Sequence, residues 1–291
     1  MGFRAVCIES RCKCSYAGGY LVVTTKEVTT RIHLSEIESV TFCTNKAYIS
    51  AYLLSELAKA KIPVVFVDEK YLPVAESLPM HGAHNNSARI AEQLEWSVPQ
   101  KKRLWQRVVK DKILLQSRIL ESYGLSDAAD VLRTYRKDVR SGDPSNREAV
   151  AAALYFSELF GKPFNRDLDC PLNYSLDYGY SIVLSRVARE IASRGYLTQI
   201  GIHHRGKLNP WNLACDFMEP FRPYIDIVIS RTDRDRFDTE TRRQLTSIMS
   251  DYVMYKDGKY RLGNVIGLYV KDCLEVLSKR RDINEIVCYE L

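Results

Sequence analysis

The hydrophobic pattern of this 291-residue chain changes its period near residue 78. Before that point, short segments rich in Val, Ile, Thr and Tyr alternate apolar and polar residues, as half-buried β-strands do. After it, apolar residues recur every three or four positions, as on one face of an α-helix. The segment where the pattern changes contains Pro, Gly, Asn and Ser and is typical of a linker, LPMHGAHNNSARIAEQ (78–93). Two regions of different structural class are therefore expected.

The N-terminal region is predicted to form a small β-sandwich. Its predicted strands are FRAVCI, RCKCSY, YLVVTT, TTRIHL, SVTFC and PVVFVD. Gly18-Gly19 is typical of a hairpin turn between the second and third strands. One helix is predicted over AYISAYLLSELAKAK (47–61). The alternation and close spacing of the strands favour a sandwich over a β-α-β array.

Beyond the linker, the pattern is helical almost throughout. The predicted helices are KKRLWQRVVKDKILLQSRIL, EAVAAALYFSELF, YGYSIVLSRVAREIASR, TRRQLTSIMSDYVMY and NVIGLYVKDCLEVLSKRR. We therefore predict an α+β protein with an N-terminal β-sandwich domain at 1–76, a linker at 77–95 and an all-α domain at 96–291.

Composition is that of an ordinary globular protein, with 46% hydrophobic and 27% charged residues. No apolar run is as long as a membrane span, and MGFRAVCIES lacks the apolar stretch of a signal peptide. We therefore expect a cytoplasmic protein with no membrane segment. Cys7, Cys12 and Cys14 lack the spacing of a zinc site and are expected to be reduced strand residues.

The net charge of +6 comes entirely from the second region. Up to Glu95 there are ten basic and ten acidic residues, whereas thirty-two basic residues face twenty-six acidic ones from Trp96 onward. This excess suits a polyanionic partner. A basic stripe on the helix at 101–120 is the best candidate for phosphate contacts: Arg103, Arg107 and Lys110.

One candidate catalytic carboxylate lies in SGDPSNREAVAAALYFSELF (141–160). Asp143 followed by Pro144 is typical of a helix start, which puts Glu148 in the first or second turn. Glu148 then shares a face with small residues, so that another helix could approach it closely. The alternative is that this carboxylate only stabilises the helix N-terminus.

A second candidate cluster lies in GIHHRGKLNPWNLACDFMEPFRP (201–223). Asp216 and Glu219 are three residues apart and would project from one helical face, with Pro220 ending or kinking that helix. His203 and His204 point in different directions, so at most one is expected to face the carboxylates. Each feature alone is common in purely structural settings.

Together, these side chains form a mixed nitrogen and oxygen ligand set. Such a set suits Mg²⁺ or Mn²⁺ better than a structural zinc ion. Basic neighbours would admit a polyanion beside the carboxylates: Arg205, Lys207 and Arg222. A divalent ion would then polarise a phosphoryl oxygen, which predicts a phosphodiester site.

Several motifs in one order make the chain resemble the CRISPR-associated spacer integrases, the larger of the two core adaptation proteins, in their type II form. These motifs are REAVAAALYF, LNYSLDYGYSIV (172–183), the GIHH turn and NLACDFMEPFRP, with HGAHNNSARIAEQ and residues 96–112 fitting the type II form. The resemblance extends end to end and implies a β-sandwich, a linker and a helical catalytic domain.

The resemblance also implies roles for individual residues. The family's metal ligands and catalytic residues fall on Glu148, His204 and Glu219, although the doubled histidine leaves His203 open. Asp216 matches an acidic position beside the metal, and Arg222 matches a basic position suited to a DNA phosphate. Asn173 and Tyr174 fall on a polar stretch near the site.

The implied activity is metal-dependent DNA integration with Mg²⁺ or Mn²⁺. A protospacer 3′-hydroxyl would attack a phosphodiester at the CRISPR repeat boundary, and water in its place would make the site an endonuclease. The implied partners are double-stranded protospacer and repeat DNA, a second copy in a homodimer, and a small ferredoxin-like adaptation protein. A type II accessory adaptation protein and the effector nuclease are further candidates.

Two other functions use the same residues. One is a structure-selective metal nuclease of DNA repair, and the other is a non-catalytic DNA-binding scaffold subunit. A zinc hydrolase would need a tighter histidine pattern such as HExxH, which the chain lacks.

Overall fold

The computed structural model describes residues 4–67, 73–77, 79, 86–162 and 164–291. Eight strands and one helix make up the described part of the N-terminal region. The strands are β1 Arg4–Ile8, β2 Cys12–Ala17, β3 Tyr20–Thr24, β4 Thr29–His33, β5 Ile37–Phe42, β6 Ala47–Ile49, β7 Val64–Val67 and β8 Pro73–Ser77; helix α1 is Ala51–Lys59.

The strands form two four-stranded sheets, which confirms the predicted sandwich. One sheet has the order β1-β5-β7-β8, and the other has the order β4-β3-β2-β6. Ile8 and Val40 of the first sheet form one apolar core with Cys14 and Leu21 of the second and Leu53 of α1. In the first sheet β1, β5 and β7 run parallel, whereas the second contains the antiparallel β2-β3-β4 meander.

Two local predictions in this region have different outcomes. The Gly18-Gly19 hairpin is confirmed, because Ala17 pairs with Tyr20 and both glycines adopt positive φ angles of 58° and 86°. The helix predicted from residue 47 is wrong at its start, because residues 47–49 pair with β2 as β6. The helix begins after Ser50, whose side chain accepts a hydrogen bond from the Leu53 backbone N–H at 3.2 Å.

The C-terminal region is mostly helical. Its helices are α2 Asn86–Leu94, α3 Val98–Ser122, α4 Ser126–Asp138, α5 Arg147–Phe160, α6 Pro171–Ser193, α7 Asn212–Met218, α8 Arg222–Ser230, α9 Thr239–Ser247 and α10 Leu262–Leu277. The short 3-10 turn Glu219–Phe221 joins α7 to α8. Across the described part of the chain, no helix combines the length and apolarity needed to cross a bilayer.

The predicted helical C-terminal region is confirmed, and it also contains a β-hairpin formed by β9 Tyr252–Tyr255 and β10 Gly258–Arg261. The helix predicted over 241–255 is therefore wrong in its last part. Tyr255 pairs with Gly258 around a two-residue turn in which Lys256 has a φ of 53°. Lys256 and Asp257 form this turn, and Gly258 after them is the first residue of β10, a combination typical of a chain reversal.

The second half of the predicted linker is a packed helix. Residues 78 and 80–85 lie outside the described residues, but α2 begins at Asn86. The fully buried Gln93 donates hydrogen bonds to the carbonyl oxygens of Leu197 and Ile200 at 2.8 and 3.1 Å. Helix α2 thus fixes the segment that leads into the His203-His204 loop. The domain boundaries themselves stay a prediction.

Helix α3 is central to the helical region, and α6 joins that region to the sandwich. Helix α3 packs against α4, α5, α8 and α10, with Trp105, Val108 and Val109 buried. On α6, Arg189 donates a hydrogen bond to the Glu38 carbonyl at 2.7 Å, and Arg186 forms an ion pair with the Glu38 carboxylate. These contacts hold β5 against the helical region.

Candidate functional site

Glu148 lies in the first turn of α5, as predicted, but the helix begins later than the sequence indicates. Asn146 adopts a left-handed conformation with a φ of 49°, and α5 starts at Arg147. Asp143 still caps the helix, because its carboxylate accepts hydrogen bonds from the N–H groups of Arg147 and Glu148, both at 2.9 Å. This cap fixes the Glu148 backbone where α5 packs against α3.

Asp216 organises the histidine loop from within α7. Its side chain is fully buried and accepts hydrogen bonds from the backbone N–H groups of Ile202, His203 and His204 at 2.6, 3.1 and 3.0 Å. Gly201 permits this close approach, since a Cβ there would lie 2.5 Å from the His204 carbonyl and 2.7 Å from Asp216 Oδ2. Steric hindrance therefore explains why a glycine stands two residues before the paired histidines.

The two adjacent histidines face different surroundings. The His204 ring is bound to Asp216 through Nδ1 at 2.7 Å, and this hydrogen bond raises the pKa of His204. The His203 ring instead stacks on Trp105, with centroids 4.0 Å apart and an interplanar angle of 4°, and burial lowers its pKa. With Nδ1 committed to Asp216, the Nε2 of His204 is the nitrogen that remains for an ion.

Glu219 lies at the start of the 3-10 turn, and both of its carboxylate oxygens contact cations. Oε1 accepts a hydrogen bond from Arg222 Nε at 2.8 Å, and Oε2 accepts one from Lys112 Nζ at 2.6 Å. Burial alone would raise the pKa of Glu219, but the charges of Arg222 and Lys112 outweigh it and lower the pKa to about 2. The α-helix α7 ends at Met218, just before Pro220 as expected, and the 3-10 turn that contains Pro220 leads directly into α8.

Lys112 connects the two candidate carboxylates, and the sequence analysis missed it. Its Nζ contacts Glu148 Oε1 as well as Glu219 Oε2, and its side chain is only 7% exposed. The helical period could have indicated it, since Lys112 lies three or four residues from the buried Val108, Val109 and Leu115. A lysine on the apolar face of a helix requires a buried acidic partner.

Among the described residues, no three His, Cys, Asp or Glu side chains are close enough as they stand to hold a metal ion. The chemistry of the donor set nevertheless fits a divalent cation. Glu148 and Glu219 supply carboxylate oxygens around a position that already holds the Lys112 ammonium. The charge of Glu219 also helps to raise the pKa of His204. An imidazole oriented by a buried carboxylate is the usual arrangement of a metal-binding histidine.

Two of the predicted basic residues line a groove beside His204. Arg205 and Lys207 are exposed and lie with Lys101 around a groove of about 560 Å³. Arg222 lies deeper, bonded to Glu219 with its guanidinium 4.6 Å from the Tyr180 ring centroid. These positions put positive charge along the approach to the candidate ligands.

The predicted stripe on α3 is not uniformly available to DNA. Arg103 is exposed and Lys110 is half-buried. Arg107 is committed internally, because its Nε donates to both oxygens of Asp111 at 2.9 Å and its Nη2 donates to the Ile286 carbonyl at 2.5 Å. Burial raises the pKa of Asp111 to about 6 even beside this guanidinium.

Asn173 and Tyr174 contribute to the protein's own structure. The buried Asn173 donates to the carbonyl oxygens of Asn165 and Leu168 at 2.9 and 2.8 Å and accepts from Arg166. The Tyr174 hydroxyl is bonded to the Asp169 carboxylate. These contacts hold the loop before α6, and the DNA contact expected of Asn173 and Tyr174 stays a prediction.

The fold places the chain in one structural class with Cas1 proteins and casposases. A CAS1 protein from Thermotoga maritima superposes with a TM-score of 0.77 at 16% identity, over 94% of this chain and 97% of that one. A casposase bound to integration product gives 0.76 at 17% identity, over 97% and 92%. The Cas6-RT-Cas1–Cas2 complex gives 0.76 at 18% identity, over 96% of this chain and 35% of that one.

Sequence comparison then identifies the family. Residues 6–252 match the model of "CRISPR associated protein Cas1", and the chain belongs to the Cas1 family. It is 38% identical over 229 residues to the "CRISPR-associated endonuclease Cas1" of Neisseria meningitidis serogroup C (strain 8013), covering 79% of this chain and 75% of that relative. A Pyrobaculum aerophilum relative named as a Cas1 endonuclease is 30% identical, with 74% and 77% covered.

Proposed function

We propose that this protein is a DNA endonuclease and integrase that joins a protospacer 3′-hydroxyl to a phosphodiester at the CRISPR repeat boundary, using Mg²⁺ or Mn²⁺. The observation that carries the proposal is the convergence of Glu148 from α5 and Glu219 from the turn after α7 on one ammonium. The relatives are named as endonucleases, and one solved neighbour is bound to an integration product, which supports this chemistry.

Glu148, Glu219 and the Nε2 of His204 would hold the ion. The bound ion would act as a Lewis acid that polarises a non-bridging phosphate oxygen and stabilises the charge of the transition state. Asp216 fixes the His204 ring, and Arg222 fixes the Glu219 carboxylate. Arg205 and Lys207 would hold the DNA backbone in the groove, so that a hydroxyl can be aligned with the phosphorus atom.

The proposed partners follow from the family and from the charge of the chain. Double-stranded protospacer and repeat DNA would lie on the basic helical region, and binding should weaken steeply with salt. The β-sandwich would form a homodimer and contact a small ferredoxin-like adaptation protein. The solved neighbours named as Cas6-RT-Cas1–Cas2 complexes support an adaptation partner of this kind. We also propose that the protein acts in a type II system, together with its accessory adaptation protein and effector nuclease. The proposed location is the cytoplasm.

A strand-joining assay with a repeat-containing duplex and a 3′-hydroxyl fragment tests the proposal. Glu148→Ala and His204→Ala should abolish joining while duplex binding, measured by fluorescence anisotropy, persists. Matched controls are Glu158→Ala on α5 and His33→Ala in β4, which should join normally. Full joining by both site variants would overturn the proposal.

The same assay separates the competing functions. A repair nuclease would cleave branched DNA in a metal-dependent manner without joining strands. A scaffold subunit would bind DNA with neither reaction and would take up no Mn²⁺ in a calorimetric titration.

A further inference from the structure

Lys112 occupies the position where the two candidate ligand carboxylates converge. Its Nζ contacts one oxygen each of Glu148 and Glu219, and the side chains of Lys112 and Glu219 are 7% and 6% exposed. The surrounding α3 residues Val108, Val109 and Leu115 are fully buried, so the ammonium lies within the protein rather than at its surface. Burial of a lysine is tolerated here because two carboxylates surround it.

The Lys112 ammonium and a divalent ion compete for the same oxygen atom. Arg222 holds Oε1 of Glu219, so the oxygen that remains for an ion is Oε2, which Lys112 contacts at 2.6 Å. The charges also compete. Among these four side chains, the carboxylates of Glu148 and Glu219 balance the charges of Lys112 and Arg222, so a divalent ion would bring two further positive charges into a largely buried space.

We propose that Lys112 is an internal counter-ion that occupies the metal position in the metal-free protein and that a divalent ion must displace to bind. This inference rests on the proposed function, because it takes Glu148 and Glu219 as ligands. In the metal-free protein, Lys112 holds both carboxylates together and prevents their mutual repulsion. The affinity of the site for a metal ion is therefore lower than it would be if the same ligands were present without the Lys112 ammonium.

The displaced ammonium stays beside a site that has gained positive charge. The negative charge of a DNA phosphate would balance this added positive charge. The metal ion and DNA should therefore each strengthen the binding of the other. Lys112 thereby links loading of the site to the presence of nucleic acid, and it disfavours a metal-loaded site in the absence of DNA.

Replacement of Lys112 by methionine tests the competition, because methionine keeps an unbranched side chain, one atom shorter than lysine, without the charged ammonium. Lys137→Met is the matched control, since Lys137 is exposed on α4. Without metal, Lys112→Met should unfold at a lower temperature than the wild type. In calorimetric titration with Mn²⁺ alone, it should bind about tenfold tighter than the wild type, and saturating Mn²⁺ should raise its unfolding temperature more. The control should match the wild type in each measurement.

Equal or weaker Mn²⁺ binding by Lys112→Met, with wild-type binding intact, overturns this inference and leaves the proposed function standing. If neither the wild type nor the variant binds Mn²⁺, the proposed metal site fails as well.

A measurement on the wild-type protein covers the case in which the variant does not fold. A carbodiimide activates a carboxyl group as an O-acylisourea; a neighbouring amine, after losing a proton, attacks the acyl carbon to form an amide, and the carbodiimide leaves as a urea. Peptide mapping should find Lys112 linked to Glu148 or Glu219 in the metal-free protein, and saturating Mn²⁺ should suppress the link. A link that persists in Mn²⁺ would show that Lys112 is not displaced.

Discussion

Asp216 Oδ1 accepts hydrogen bonds from both the backbone N–H and the ring Nδ1 of His204, at 3.0 and 2.7 Å. One carboxylate oxygen therefore fixes the loop and the orientation of the imidazole at once. Because a carboxylate oxygen accepts this hydrogen bond, Nδ1 of the neutral imidazole carries the proton, and its Nε2 presents a lone pair. We therefore expect Asp216 to position the candidate ligand His204 rather than to bind an ion itself.

The first prediction concerns Asp216→Asn. An amide nitrogen cannot accept the N–H groups of the 202–204 loop, so the His204 ring should lose its fixed orientation. We expect Mn²⁺ affinity to fall by roughly ten- to a hundredfold, as for other carboxylates that orient a ligand histidine. Titration calorimetry measures this, with the exposed Asp233→Asn as control. Unchanged affinity in Asp216→Asn would contradict the assigned role.

The second prediction separates the two histidines. His204→Ala should lose strand joining, whereas His203→Ala should retain it within a few-fold. Loss of the stack on Trp105 should cost His203→Ala about 1 kcal/mol of unfolding free energy. Joining assays and denaturant unfolding on both variants test this. The opposite outcome, with joining lost only in His203→Ala, would transfer the ligand role to His203.

The third prediction contrasts two arginines on α3. Arg103→Ala should weaken duplex binding and reduce the salt slope of log K by about 1 if the exposed Arg103 contacts a phosphate. Arg107→Ala leaves the buried Asp111 without its partner and should cost about 3 kcal/mol of stability with little effect on that slope. Binding at several salt concentrations and denaturant unfolding distinguish the two. A stable Arg107→Ala variant with a reduced salt slope would refute this division.

The fourth prediction concerns pH. Burial raises the pKa of Asp226 from 3.8 to about 7, although the Tyr180 hydroxyl bond and the charges of Lys112 and Arg222 oppose the shift. In the unfolded chain the carboxyl ionises near its ordinary pKa, so between about pH 4 and 7 the folded protein binds more protons than the unfolded one. The stability that the protonated Asp226 carboxyl contributes to the folded protein is therefore lost as pH rises through this window. Above the window no further stability is lost from this group.

Asp226→Asn should remove this dependence. The free energy of unfolding of both proteins is measured in denaturant at several pH values between about 4 and 7. As pH rises, the wild type should lose stability relative to the variant by at most about 1.4 kcal/mol per pH unit. Parallel pH curves for the two proteins would show that Asp226 does not titrate in this way.

Much of the fold could be predicted because strands and helices depend on local patterns. The alternation of β1 to β5 and the periods of α3, α5, α6 and α10 are strong enough to predict each element. The parallel pairing of β5 with both β1 and β7 depends on crossover connections that no local pattern specifies. The β9–β10 hairpin was missed because the weak helical period of 241–255 was extended over the residues of β9.

The candidate ligands could be named from motif resemblance, but their surroundings could not. The spacing of Asp216 and Glu219 predicts one shared face, yet Asp216 bonds the histidine loop while Glu219 contacts Lys112 and Arg222. Helical periodicity places Lys112 on a buried face. Which carboxylates it meets depends on how α3 packs against α5 and the turn after α7, and that is a property of the tertiary structure.

The most direct test is an anomalous difference map from a crystal grown or soaked with Mn²⁺. We predict one manganese peak about 2.1 Å from an oxygen of Glu148, an oxygen of Glu219 and the Nε2 of His204, with the Lys112 ammonium moved away. A peak that misses one of these three side chains, or no peak at saturating Mn²⁺, would contradict the proposed metal site.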